Sequence, residues 1–324
     1  MIPPGFVITE SEVKAMSMQR GLSLPDLLPT LVPIAQSLAR VPISNYAVGA
    51  VGLGITGRIY LGANLEFPGL PLHHSVHAEQ FLITNAANIS HLSTDQITHI
   101  AVSSVPCGHC RQFLQELRFA SDIQILVTDN STVKMNPSFV SSPSYASLSS
   151  LLPQPFGPRD LLHHTTPLLL EAQNNTIILE RQQQKYENQP DATLACNGRN
   201  GRECDDMLEK EVMSAAERAA TKAHAPYSGC PAGFAMGDEE GRIFVGSYAE
   251  SAAYNPSLGP VQGAMVSFVA GGGGLEYGRI VTAALVERKD GFVSQESTAR
   301  ILLEKVAPNC LLRVYHCTVK ISSA

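Results

Sequence analysis

The sequence predicts an α/β fold, a three-layer α/β/α sandwich present twice in one chain with the second copy degenerate. Two observations carry this. Helical and strand-like patterns alternate through the first 128 residues, as they do where helices cover the faces of a sheet. In addition, residues 42–66, PISNYAVGAVGLGITGRIYLGANLE, align without a gap on residues 226–250, PYSGCPAGFAMGDEEGRIFVGSYAE, at a constant offset of 184 with eight of 25 positions identical. The identities include Gly49 with Gly233, the GRI triplets at 57 and 241, Gly62 with Gly246, and Glu66 with Glu250. Shared glycines within a shared apolar alternation mean that the same turns join the same strands. Chance similarity over a glycine-rich hairpin is the competing reading.

Residues 25–40, PDLLPTLVPIAQSLAR, space their apolar side chains as a helix does despite an interior proline. The short apolar runs YAVGAVGL and RIYLGA read as two strands. A helix over about 76–89, a strand ITHIAVSSV, a helix over about 107–119 and a strand IQILVT complete a first domain set at 1–128. Ser, Pro and Asn then dominate a linker at 129–165. The second domain is set at 166–324, with the polar, glycine-containing stretch 182–206 expected to be a flexible insertion.

The chain has 324 residues, 44% apolar and 16% charged, long enough for two domains with substantial cores. No apolar run approaches the roughly 18 residues that suggest a membrane span. The opening MIPPGFVITESEVKAM lacks the basic start and apolar stretch of a signal peptide, so a cytoplasmic protein is expected. The net charge of -6, with 23 scattered Lys and Arg, argues against nucleic acid as the main partner. Of seven cysteines only Cys107 and Cys110 stand at metal-ligand spacing, which is a poor basis for a disulfide framework.

SVHAEQFL (75–82) and VPCGHCRQ (105–112) carry the chemistry. Cys107 and Cys110, three residues apart on the first turn of a helix, project from one side, and the helix dipole there favours thiolate. A lone CxxC could equally be a redox pair or half of a structural zinc site. HAE together with PCGHC is far more specific. Three ligands, His77, Cys107 and Cys110, leave the fourth tetrahedral position of zinc open for water, as catalysis requires. One imidazole and two thiolates against a divalent ion give a neutral centre that still acidifies the water. Glu79 is then the catalytic proton shuttle. Capping of a helix by Glu79 is the bland alternative. His73, His74 and His109 are expected outside the site, and the other five cysteines as ordinary thiols. Carried on at the offset of 184, His77 falls on Val261 and Glu79 on Gly263, and no CxxC follows, so one zinc per chain is expected.

With VHAEQ, VPCGHCRQF and the upstream GANLEF, the chain resembles the cytidine deaminases of the two-domain homodimeric form, from about residue 25 to the C-terminal region apart from the insertion. That form also carries a second copy without zinc and uses histidine as one ligand. The resemblance implies that Asn64 and Glu66 bind the ribose hydroxyls, that the backbone around Ala78 holds the pyrimidine carbonyl, and that Tyr46 lines the base pocket where phenylalanine is usual. It also implies that Phe156, in LPQPFGPRDL, stacks on the pyrimidine of the partner subunit, so the linker would complete a site across a dimer interface. The Asn64 and Glu66 match favours a nucleoside over a nucleotide, since a carboxylate accepts a hydroxyl proton but repels phosphate. Glu250 persists in the second copy, which suggests that the carboxylate also serves the fold.

The implied reaction is hydrolytic deamination of cytidine and 2′-deoxycytidine in pyrimidine salvage. Water activated at the open zinc position adds at C4 while Glu79 carries protons, and ammonia leaves. Two alternatives stay open: a deaminase of RNA or single-stranded DNA, which would want a basic groove, and a catalytically silent paralogue.

Overall fold

A computed structural model describes residues 5–89, 95–128, 144–173, 175–180, 199–274 and 276–320. The first half opens with β1 (Val7–Ile8), α1 (Glu10–Arg20) and α2 (Leu24–Ser37), and continues with β2 (Gly49–Gly54), β3 (Ile59–Ala63) and α3 (Ala78–Ile89). Then come β4 (Ile97–Val102), α4 (Gly108–Phe113), β5 (Gln124–Val127), β6 (Ala146–Ser147), α5 (Leu148–Leu151) and α6 (Pro158–Leu161). Its sheet runs β1-β3-β2-β4-β5-β6, with β4 and β5 parallel and the other pairs antiparallel. The second half holds β7 (Thr176–Leu179), α7 (Arg199–Thr221), β8 (Gly233–Asp238), β9 (Ile243–Ser247), α8 (Pro260–Ala270), β10 (Ile280–Arg288), α9 (Glu296–Val306) and β11 (Leu311–Lys320). Its sheet runs β7-β11-β10-β8-β9, again with one parallel pair, β10 and β11.

Glycines fix the layering. A Cβ on Gly49 would lie 2.2 Å from the backbone of Gln36 in α2, whereas a Cβ on Gly62 would lie 2.2 Å from the Ala78 carbonyl of α3. Gly62 pairs with Ala50, the neighbour of Gly49, so the two glycines face opposite sides of the sheet. One helix therefore presses on each face, which is the predicted three-layer sandwich. The second half repeats the contacts: a Cβ on Gly233 would lie 2.1 Å from Ala220 of α7, and one on Gly246 would lie 2.1 Å from the Pro260 carbonyl of α8. Gly57 and Gly241, the first residues of the two GRI triplets, have φ of 81° and 78° and turn the two hairpins in the left-handed region.

The constant offset fails after the hairpin. Leu65 bridges Val76, while Ala249 bridges Leu258, so the connecting loop is two residues shorter in the second half. The position matching His77 is therefore Gly259, and that matching Glu79 is Val261, not the Val261 and Gly263 expected from the sequence.

α2 survives two interior prolines, Pro29 and Pro33, because it buries Leu27, Leu28, Leu31, Val32 and Ala35. Pro29 has no N–H to offer the Pro25 carbonyl four residues back. The Tyr145 hydroxyl donates to that carbonyl instead, at 2.8 Å. β6 and α5 extend the first sheet into the stretch expected as linker, whose residues 129–143 lie outside the described residues. Of the expected insertion, 182–198 lie outside the described residues and 199–206 begin α7.

The halves share one apolar core and are joined by polar contacts. Glu116, fully buried, accepts from Tyr227 Oη at 2.7 Å and from the Ala252 N–H at 2.7 Å, and lies 3.1 Å from His224 Nε2. Gln80 Nε2 donates to the Pro256 carbonyl at 3.0 Å, and the Arg40 guanidinium lies over the Tyr277 ring. Among the described residues no helix is long and apolar enough to cross a membrane.

Candidate active site

Two helix starts meet beyond the ends of the central strands. His77 stands just before α3 and Glu79 is its second residue, while Cys107 caps α4 and Cys110 lies within it. Cys107 Sγ is 3.7 Å from Cys110 Sγ and 3.5 Å from His77 Nδ1, and Cys110 Sγ is 3.3 Å from His77 Nδ1. A tetrahedral zinc with Zn–S of about 2.3 Å and Zn–N of about 2.0 Å sets ligand separations at roughly 3.4 to 3.8 Å. The triangle fits a zinc ion, and its donor set of one imidazole and two thiols suits that metal.

The charges are arranged accordingly. The Cys107 thiol is drawn down to about 3, chiefly by the hydrogen bond from Cys110, with His77 adding to it against burial. The same contact with Cys107, together with burial, pushes the Cys110 thiol well above its ordinary value, and contact with Cys107 raises His77. The opposed shifts mark coupled donors whose protons a divalent cation would displace. Glu79 is 4% exposed, and burial raises its carboxyl. Its Oε2 accepts from Cys110 Sγ at 3.2 Å, so a carboxyl whose hold on a proton is strengthened by burial lies against the metal ligands.

The expected sugar residues are brought to the same end of the sheet but are already engaged. Glu66 Oε2 accepts from the backbone N–H groups of Ile43 (2.8 Å) and Ser44 (3.0 Å), and Oε1 accepts from Ser44 Oγ (2.5 Å). Burial alone would raise this carboxyl, but the Ser44 and Ile43 donors outweigh it and hold it below the ordinary range. In the second half Glu250 takes the same donors from Tyr227 and Ser228. Asn64 Oδ1 accepts from the Val48 N–H and its Nδ2 donates to the Tyr46 carbonyl. The Tyr46 ring is half exposed, with its hydroxyl 2.8 Å from Ser104 Oγ. Ala78 is buried at the start of α3, where the first N–H groups of a helix lack internal acceptors. Phe156 is 50% exposed in the segment between α5 and α6.

Three residues escaped the sequence reading. Ser44 builds the Glu66 cradle, Ser104 receives Tyr46, and Gln80 Oε1 accepts from the His77 N–H at 3.3 Å. His109, expected outside the site, stacks on His77 with ring centroids 5.0 Å apart. Only Gln80 left a signal, as the last letter of VHAEQ. His73 and His74 sit on a short turn, neither one buried.

The matching end of the second half holds Gly259 and Val261 in place of His77 and Glu79. The helix that follows the central strand starts at Gln295 in the second half as it does at Cys107 in the first, so Gln295 and Thr298 stand in place of Cys107 and Cys110. A separate group there, Glu287, Glu296 and His316, brings three donors together. Its carboxylates are occupied otherwise: Glu287 accepts from Ser294 Oγ and the Gln295 N–H, and Glu296 pairs with Arg300.

A duplicated α/β/α sandwich with a His/Cys/Cys triangle and a buried carboxyl at the helix starts defines a metal-dependent hydrolytic enzyme. Comparison with known proteins is more specific. Models of the cytidine and deoxycytidylate deaminase zinc-binding region match residues 27–126 and 148–300. Cytidine deaminase 1 of Arabidopsis thaliana is 48% identical over 98% of this chain and 99% of its own length. Cytidine deaminase 6 of the same plant is 44% identical over 96% and 97%, and a cytidine deaminase of Aeromonas hydrophila is 37% identical over 91% and 85%. A crystal structure of a Mycobacterium tuberculosis cytidine deaminase mutant, 26% identical, covers 42% of this chain and 96% of that one with a TM-score of 0.34. The chain belongs to the cytidine and deoxycytidylate deaminase family and is a zinc-dependent deaminase.

Proposed function

We propose that the protein hydrolyses cytidine and 2′-deoxycytidine to uridine and 2′-deoxyuridine, releasing ammonia, in pyrimidine salvage. The observation that carries this reading is the buried Glu79 carboxyl 3.2 Å from a member of the His77, Cys107, Cys110 triangle. Zinc held by those three residues supplies Lewis acidity that brings the pKa of water towards neutrality. Glu79 takes the proton from water and delivers it to N3 of the cytosine ring, which makes C4 electrophilic. It then takes the second proton from the hydroxyl now on C4 and hands it to the departing amine, so that ammonia leaves, the C4–N bond is exchanged for a C4=O bond and the carboxyl returns to its starting state. A carboxyl whose pKa is raised by burial is suited to both transfers.

Asn64 and Glu66 are assigned to the ribose hydroxyls through the N–H and lone pairs left over from the contacts that hold them. Tyr46 walls the base pocket, and the backbone at Ala78 meets the pyrimidine carbonyl. The half-exposed Phe156 supports a homodimer in which each subunit's ring stacks on the pyrimidine in the partner's site. Five described cysteines are free thiols, as a reducing cytoplasm would keep them. A net charge of -6 does not favour a polynucleotide substrate.

Metal content and ammonia release test the reading together. One zinc per chain and turnover of cytidine, unaffected by a competing oligonucleotide, are expected. Turnover of the oligonucleotide in preference to cytidine would overturn the substrate, and activity that stays proportional to concentration down to a demonstrated monomer would overturn the shared site.

A further inference from the structure

The metal motif does not end at its second cysteine. In CGHCRQF, Phe113 goes to the core, but Arg111 and Gln112 are only partly buried and the chemistry above uses neither. Both reach the same target. Arg111 Nη1 donates to the Leu151 carbonyl at 2.8 Å, and Gln112 Nε2 donates to the Phe156 carbonyl. The segment 152–157 has no regular secondary structure, and Gln154 within it adopts a φ of 52°. It is pinned at three places: at Leu151 by Arg111, at Phe156 by Gln112, and at the Gly157 N–H, which donates to Asp160 Oδ2 at 2.7 Å. The backbone of Phe156 is therefore held while its ring stays half exposed. Cys110 and Gln112 are two residues apart, about 200° around a helix, so they leave α4 on opposite sides.

We propose that Gln112 is a positioning residue for the neighbouring subunit's site: α4 supplies zinc ligands to its own subunit from one side and, through Gln112, fixes the Phe156 that completes the partner's site from the other. This rests on the reading that Phe156 acts across a dimer. A change at Gln112 then weakens nucleoside binding in the other subunit and leaves its own subunit's zinc and proton transfer untouched.

Hybrid dimers test this with the holoenzyme. One chain carries Glu79→Gln, so that all turnover comes from the site of the other chain. Gln112→Glu is nearly isosteric but replaces the donor with an acceptor facing a carbonyl. On the silent chain it raises the KM for cytidine about three- to tenfold with kcat little changed, whereas on the active chain it leaves KM at the wild-type value, with one zinc per chain in both hybrids. Gln112→Ala, which adds no charge, gives the same pattern. A rise in KM when the change is on the active chain, or no rise in either arrangement, overturns the proposal. Phe156→Ala in the same two hybrids tests the underlying reading separately: an effect only from the active chain removes the shared site itself, whereas an effect from the silent chain that Gln112→Glu fails to reproduce removes only Gln112.

Discussion

The two halves differ at one end of an otherwise repeated frame. Each keeps the hairpin with its left-handed glycine, the two close helix contacts at glycine, and a carboxylate that ties down the loop before the hairpin, Glu66 in one and Glu250 in the other. Only the first keeps a histidine, two cysteines and a glutamate at the starts of the following helices. The comparison separates two kinds of requirement. The carboxylate cradle belongs to the fold, because it persists in a half without the His/Cys/Cys triangle. The metal ligands are separable from the fold, because a half with Gly259 and Val261 in their place keeps the same layers.

The largest test breaks the first half's distinction directly. Glu79→Gln lowers kcat by about a thousandfold or more while zinc content stays at one per chain, whereas Cys107→Ala loses the metal and the activity together. Zinc analysis beside an ammonia assay tells the two failures apart, and wild-type rates from Glu79→Gln would remove that residue from the mechanism. Next comes the shared frame. Gly62→Ala and Gly246→Ala each drive a methyl into backbone of the facing helix and should cost about 3 kcal/mol or more in either half, measured by urea denaturation. A tolerated Gly246→Ala would show that the second half is less tightly built than the first.

Smaller effects sharpen the comparison at the cradles. Glu250→Gln should cost about 1 to 3 kcal/mol of stability and leave KM unchanged, while Glu66→Gln, at a less buried site, costs less stability but raises KM for nucleoside. A KM effect from both, or from neither, would undo the division of labour. The smallest effect is in pH. The folded carboxyl of Glu66 is held below its unfolded value of about 4.3, so its contribution is fully present above that value and is lost as pH falls through the lower, folded one. The stability gap between wild type and Glu66→Gln should therefore narrow on acidification below about 4, and a gap that widens there would reverse the sign.

The sequence showed most where chemistry allows few substitutes. HAE and PCGHC delivered the zinc triangle and Glu79, and the aligned glycines delivered the duplication, because a left-handed turn and a backbone contact at about 2 Å from a would-be Cβ admit no other residue. It misled where a loop length changed without a marker, which is why His77 faces Gly259 and not Val261. It was silent on Ser44 and Ser104, since a serine close in space but remote in sequence carries no periodicity, and it set His109 outside a site whose histidine that ring stacks on. Glu66 was legible as a candidate, and its counterpart Glu250 already pointed to a part in the fold; the donors that hold it, Ile43 and Ser44, came only from the structure.

Glu116 sets a limit on how far the halves can drift apart. Its carboxyl sits at zero exposure in the first half, while Tyr227, Ala252 and His224, which contact it, all come from the second. Prising the two apart would take those partners away and open the shared apolar core to water, at a cost of about 25 cal/mol for each Å² exposed. The half without the His/Cys/Cys triangle is thus a permanent counterweight to the half that carries it, and an excised catalytic portion should be a poor enzyme before it is a small one.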